Sequence, residues 1–176
     1  MAAAAHKSPT AGEKLIASNP SARSNYFIEE VLEAGIALTG TEVKSLRSQT
    51  PNLKDAFVEV TGHPSSNVSG KANLMEAWLL NAHIAPYTHG NIWNHDPLRR
   101  RKLLLHRHQI EKLFGAITQK GLSVIPLRMY FKQGRAKLEI GVGKGKKKFD
   151  KREDLKKKSA QKEMDQALKQ KSRSRT

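Results

Sequence analysis

Apolar periodicity in this chain stops at Val142. Up to there, apolar residues recur at spacings that build a core. In Gly141-Val-Gly-Lys-Gly-Lys-Lys-Lys-Phe-Asp-Lys-Arg-Glu-Asp-Leu-Lys-Lys-Lys158 cations take over. The fold therefore has to come from the residues before this stretch, and those after it make a solvated arm. Gly141, Gly143 and Gly145 are expected to loosen the backbone at the border, because glycine has the widest conformational range. Phe149 is the lone aromatic inside the basic run, where a nucleobase would stack on it. A solubilising tail and a polyanion-binding arm are the two readings of such a terminus.

Charge helps choose between them. The 176 residues carry 32 Lys+Arg against 16 Asp+Glu, a formal +16. Lys144–Thr176 holds 14 basic and 5 acidic residues, so +9 belongs to the arm and +7 to the rest. Charge this high costs self-repulsion in a compact state unless a polyanion matches it, and nucleic acid is the first candidate, ahead of an anionic membrane surface. No apolar run approaches the ~20 residues of a membrane span, and the Met1-Ala-Ala-Ala-Ala-His-Lys start lacks a secretory core. With no cysteine, disulfides and thiolate metal sites are excluded, and a cytoplasmic protein is expected.

Residues 1–24 show no sustained period and read as a mobile lead. From Tyr26 the chain alternates, with Tyr26, Ile28, Leu32, Ile36 and Leu38 on one side and Glu33 on the other. Glu30 falls on the apolar side, which predicts a bulge nearby, and Gly35 suggests another. Thr41 is placed to N-cap a short helix through Arg47. Strands are expected at Ala56–Val60 and at Glu76–Pro86, the latter with Trp78, Leu80, Ala82 and Ile84 on one side. Thr61–Asn73 and Tyr87–Leu98 are loops. Ile110, Leu113, Phe114 and Ile117 form one stripe of a helix over His106–Lys120, ended by Gly121. A hairpin turns at Gln133-Gly134, with Ile125, Leu127, Met129 and Phe131 inward against Ala136, Leu138, Ile140 and Val142. The fold class implied by these elements is mainly β with a few helices. It is a small OB-like β-barrel over residues 25–143, with one main amphipathic helix and a basic arm over 144–176. The arm is expected to be disordered alone and helical only against a partner. Its Ala160/Met164/Ala167/Leu168 stripe is thin, and i,i+4 pairs such as Glu153→Lys157 contribute only a few tenths of a kcal/mol each.

Arg128, Tyr130 and Lys132, with Arg135 and Lys137, are the outward positions of the hairpin. Cations beside an aromatic suit phosphates and a stacked base, and equally suit an ordinary solvated strand face. Arg99, Arg100, Arg101 and Lys102 read as a phosphate clamp or as charge protecting a strand edge, and the total charge favours the clamp. His83, His89, His95, His106 and His108 crowd the middle. His106 and His108, two apart, would diverge on a helix, and no HExxH, GxSxG or Walker spacing is present. No catalytic site, metal or cofactor is expected.

Several of these segments, taken together, resemble a known family. They are Asn19, Tyr26-Phe-Ile-Glu-Glu30, Glu33-Ala-Gly-Ile-Ala-Leu-Thr-Gly-Thr-Glu-Val-Lys-Ser-Leu-Arg47, Asn81-x-His-Ile-x-Pro-Tyr87, Arg101-Lys-Leu-Leu-Leu-His106 and Gly143-Lys-Gly-Lys-Lys-Lys-Phe-Asp-Lys-Arg152. In order and spacing, over roughly Asn19–Lys158, they resemble the SsrA-binding protein family, also called small protein B. The resemblance implies an oligonucleotide-binding barrel that takes the tRNA-like domain of transfer-messenger RNA to stalled ribosomes. Elongation factor Tu would be an indirect partner, and the small subunit and its ribosomal RNA direct ones. The arm would engage the decoding site and fold as a helix in the empty messenger channel. It further implies RNA-binding roles for Asn19, Glu33, Leu103 and Leu104. A ribosome-engaging arm would use Lys144, Lys146, Lys147, Lys148, Phe149 and Asp150-Lys151-Arg152. Two departures stand out: Asn19 is followed by Pro-Ser-Ala rather than a basic lead, and the Thr61–Asn73 loop is extended with no assigned role. The competing readings are a generic basic OB-fold single-stranded RNA-binding or ribosomal protein, and a histidine-dependent nuclease.

Overall fold

The computed structural model describes residues 12–62 and 75–147, with Phe149, Asp150, Arg152, Ser159 and Met164. Its strands are β1 (Glu13–Ser18), β2 (Tyr26–Ile36), β3 (Phe57–Thr61), β4 (Glu76–Leu80), β5 (Arg101–Leu104), β6 (Ser123–Lys132) and β7 (Arg135–Gly145). The helices are α1 (Pro20–Asn25), α2 (Gly40–Ser48) and α3 (Arg107–Lys120). All strand pairs are antiparallel. β7 pairs with β2, β2 with β5, β5 with β4, β4 with β3, and β3 with β6 through Val58↔Val124. β6 in turn pairs with β7 along its length and carries β1 on its other edge. The result is a mixed sheet-and-helix fold around a core that includes Ala34, Leu79, Leu103, Leu113, Met129 and Ile140.

The expected hairpin is present. Lys132 pairs with Arg135 across Gln133 and Gly134, whose φ values of +51° and +74° are those a two-residue hairpin turn requires. The long helix is present too. Ile110 and Leu113 are buried, and Leu113 and Ile117 reach the main core. Gly121, at φ +61°, ends it while Leu122 N–H returns to Ala116 O at 3.2 Å. α2 starts earlier than expected: Thr39, not Thr41, is the N-cap, and its N–H donates to the Glu42 carboxylate at 2.7 Å.

Two bulges redistribute the predicted inner faces. In β2 the register steps from Ile28↔Gly143 to Glu30↔Val142, leaving Glu29 as the extra residue. In β6 it steps from Pro126↔Ile140 to Arg128↔Glu139, past Leu127. An extra residue reverses side-chain parity, so Tyr26 and Ile28 lie not with Leu32 and Ile36 but with Val31, on the other side of the sheet. Ile125 and Leu127 join them there, and Ala22 of α1 closes this second, smaller cluster. No register shift occurs at Gly35. There β2 changes partner from β7 to β5, and a Cβ would stand 3.1 Å from Leu104 Cβ.

Three further expectations are corrected. The lead is not structureless over its described part, since Glu13–Ser18 pairs with β6 and Pro20–Asn25 is helical. Gly141 and Gly143 do not loosen the chain. They lie within β7, which runs to Gly145, and a Cβ at Gly143 would come within 2.2 Å of Phe27 O, so glycine is what lets β2 approach. The strand expected over Glu76–Pro86 ends at Leu80, and its buried residues are Ala77 and Leu79 rather than Trp78 and Leu80. Asn81, at φ +56°, breaks the alternation, after which Ala82 and Ile84 point inward. Residues 63–74, and with them most of the Thr61–Asn73 loop, lie outside the described residues, as do Ala160, Ala167, Leu168 and the predicted ion pairs of the arm.

Candidate nucleic-acid interface

Strand register assembles one continuous outer face. Leu104 of β5 pairs with Gly35 of β2, which pairs with Lys137 of β7, then Tyr130 of β6 and Leu15 of β1. The next row runs Glu33, Glu139, Arg128, Ser18. On the other flank Lys102 pairs with Trp78 of β4. Side chains two apart along a strand share a face, so Glu33, Leu104, Arg128, Tyr130, Lys132 and Lys102 are brought onto one surface.

Glu33 is its hub. Its carboxylate accepts from Tyr130 OH at 2.5 Å and from Lys132 Nζ at 3.3 Å, and Lys137 Nζ stands 3.4 Å away. The Tyr130 hydrogen bond, with help from both lysines, holds Glu33 below the usual carboxylate range against a burial penalty. Burial and the facing carboxylate push the Tyr130 phenol well above its ordinary value, so it stays a donor. Arg128 donates to Glu139 at 2.7 Å and lies 5.0 Å from the Tyr130 ring centroid. Arg128 and Tyr130 are on the predicted outward side yet buried, because Glu13, Glu33 and Glu139 pack over them. The groups that meet solvent here are Glu33, Lys132 and Lys137, with exposed Leu15 and Leu104 at either end.

The Arg99–Lys102 clamp is corrected in part. Arg101 is fully buried: it donates to Glu42 at 2.8 Å, to Ala82 O at 2.5 Å, and to Arg99 O and Pro97 O at 3.0 Å. Arg99 grips the same carboxylate, through Nε at 2.8 Å and through a second, shorter bond. Burial works against the ionised Glu42, but the bonds from Arg99, Thr39 N–H and Arg101 outweigh it and lower its pKa. Glu42 thus turns two of the four cations into a tie joining α2 to β5 and to the Tyr87–Leu98 loop. Lys102 pairs with Glu76, and exposed Arg100 stands 4.5 Å over the Trp78 ring, free of any carboxylate among the described residues. Alternating in and out along β5 has put Arg101 and Leu103 in the core and Lys102 and Leu104 outside.

Asn19 is likewise buried and fully used. It caps α1 by accepting from Ala22 N–H at 3.3 Å, and its amide donates to Leu53 O at 2.9 Å and Pro126 O at 3.1 Å. Its place is structural, holding α1 against β6. Leu103, only 1 % exposed, is core.

At the arm, Lys144 is a β7 residue opposite Phe27, and Lys146 lies 4.7 Å over the exposed Phe27 ring. Lys146 N–H donates to Asn25 O at 2.8 Å and Lys147 N–H to the Asp150 carboxylate at 2.9 Å. Phe149 and Arg152 are exposed. Lys148 and Lys151 lie outside the described residues. Sequence pattern gave no sign of Glu42, and so none of the fate of Arg99 and Arg101. Nor did it show the Arg100–Trp78 and Lys146–Phe27 pairs, because cation and ring come from distant segments. His106 and His108 do not diverge: His106 is the N-cap of α3 and their rings stack at 5.7 Å. Among the described residues no group of three His, Asp or Glu is placed to hold a metal, and no helix is long and apolar enough to cross a membrane.

This sequence and fold have known counterparts. A family model described as SmpB protein matches residues 16–170. The SsrA-binding protein of Pelobacter propionicus is 54 % identical over 92 % of this chain and 99 % of its own length. That of Geobacter metallireducens is 55 % identical over 93 % and 99 %, and that of Anoxybacillus flavithermus 51 % identical over 92 % and 97 %. A solved chain described as "tmRNA-SmpB: a journey to the center of the bacterial ribosome" is 41 % identical, with a TM-score of 0.58 over 79 % of this chain and 93 % of the other. With a family match along nearly the whole sequence and half the residues shared with full-length relatives, this chain belongs to the SmpB, or SsrA-binding, protein family.

Proposed function

We propose that the chain is a non-enzymatic RNA-binding factor of ribosome rescue that binds transfer-messenger RNA. Its relatives are named for binding SsrA, and the similar solved chain is described with tmRNA and the bacterial ribosome. The observation that carries the reading in this chain's own residues is the outer face from Leu104 through Gly35, Lys137 and Tyr130 to Leu15. It presents ammonium groups, one exposed carboxylate and exposed apolar side chains on a rigid sheet, in a chain of net +16. Folded RNA is read through phosphates, 2′-hydroxyls and unpaired bases. Lysines serve the first, and the Glu33 carboxylate, which would repel phosphate, serves hydroxyl or base donors.

The ring of pairings from β6 through β3, β4, β5, β2 and β7 supports a small OB-like barrel as the RNA-binding body. The tRNA-like domain sits on its outer face, through Glu33, Arg100, Lys102, Leu104 and Lys132. The basic arm beyond Gly145, including Lys146, Lys147, Phe149, Asp150 and Arg152, engages the small subunit's decoding site and empty messenger channel, while elongation factor Tu joins through the RNA. The work is cytoplasmic. Reconstituted tagging on ribosomes stalled at a message end tests this: adding the chain restores tagging by transfer-messenger RNA, and its failure to do so contradicts the proposal.

A further inference from the structure

The loop Tyr87–Leu98 carries the two most exposed large apolar side chains among the described residues, Ile92 at 80 % and Trp93 at 82 %. A single exposed apolar residue needs no explanation. These two are adjacent, Leu98 at the end of the same loop is exposed too, and the loop is held stiff. Asn94 clamps Tyr87 from both sides, accepting from its N–H at 2.9 Å and donating to its carbonyl at 2.8 Å. His95 fastens the loop to Thr41 of α2 at 3.1 Å and to Ile84 O at 3.2 Å. Gly90 leaves room for this, since a Cβ there would fall 2.6 Å from the Asn94 amide. Trp93 is thus held out into water on a loop stitched at both ends.

We infer that Trp93, with Ile92 beside it, is a stacking platform for an unpaired base of the tRNA-like RNA bound by the outer face. This rests on the proposed function and extends its surface. Two observations choose the occupant. The loop itself has no Lys or Arg and one acid, Asp96, whose carboxylate accepts from Leu98 N–H, but cations border it: Lys44 Nζ is 5.7 Å from the Tyr87 ring, and exposed Arg100 follows just beyond Arg99, which Glu42 holds. Arg100 in turn stands over Trp78, which pairs with Lys102 of the outer face, so the cation that follows the loop in sequence leads onto that face. An aromatic ring held in solvent with cations on its flanks takes a base on its face and phosphates beside it.

The test is the affinity of the full chain for transcribed tRNA-like domain at fixed salt, for wild type and four variants. Trp93→Ala should weaken binding roughly 5- to 150-fold, the range for losing one stacked base. Trp93→Tyr and Trp93→Phe should stay near wild type, because a flat ring remains, while Trp93→Leu should be as weak as Trp93→Ala. Thermal melts should be superimposable, since the ring packs on almost nothing. Undiminished affinity of Trp93→Ala, or rescue by Leu, overturns the platform while leaving the outer face intact as the RNA site. So does a loss confined to binding of small ribosomal subunits. If wild type itself ignores the tRNA-like RNA, it is the proposed function that fails.

Discussion

Replacing Glu42 by Ala removes the carboxylate hydrogen-bonded to both Arg101, which is fully buried, and Arg99, which is partly so. It also takes the acceptor from Thr39 N–H at the start of α2. Breaking a buried pair by deleting one partner typically costs about 3–5 kcal/mol, because the remaining charge stays desolvated. The absent capping interaction adds up to about 1 kcal/mol. Against a total stability of order 5–15 kcal/mol, this is a large fraction. For a domain of this size it corresponds to a drop in Tm on the order of 10–20 °C. Urea unfolding followed by circular dichroism measures it, and Glu42→Gln, which keeps an acceptor but no charge, should fall between wild type and Ala. The pH dependence has a defined sign. Glu42 titrates below the ordinary value near 4.5 when folded, so its contribution is present above that pH and is lost as pH falls through the folded value. A Glu42→Ala protein within about 1 kcal/mol of wild type at pH 7 would refute the idea that this carboxylate ties α2 to β5.

Gly143→Ala should destabilise by about 1–3 kcal/mol or more, read as a fall in urea midpoint, because the new methyl group meets Phe27 O in the adjacent strand. Glu33→Ala should weaken binding to the tRNA-like RNA in a gel shift while the body stays folded, with a fall of about 1–3 kcal/mol in unfolding free energy because the Tyr130 hydroxyl loses its acceptor. Arg100→Ala with Lys102→Ala should flatten the slope of log affinity against log salt, by about one unit for each phosphate no longer neutralised. An unaltered slope leaves them as edge protection.

Legibility in the sequence depended on distance along it. The β6–β7 hairpin and α3 were legible because turn, stripe and terminator lie within a few residues of one another. β1 was not, because its pairing residues are more than 100 positions away and its register is irregular between Leu15 and Ala17, which hides any alternation. Glu30 announced a bulge, but its consequence did not show in the pattern: Tyr26 and Ile28 keep an apolar spacing while packing under α1 instead of in the main core. Among the site residues, charge was visible and burial was not. Arg101 looks like its three basic neighbours until Glu42, 59 residues earlier, draws it inward. Leu104 and Glu33 came from family resemblance, and the pairing of Gly35 with Leu104 supplies the physical reason they share a face.

The most direct measurement of the central claim is a competition gel shift on the full chain, with labelled tRNA-like domain challenged by itself or by unstructured single-stranded RNA of equal length. A face that reads folded RNA requires that the unstructured competitor be weaker by about tenfold or more at physiological salt, and that Glu33→Ala narrow the gap. Equal competition by the two RNAs would contradict it and reduce the outer face to a general polyanion-binding surface.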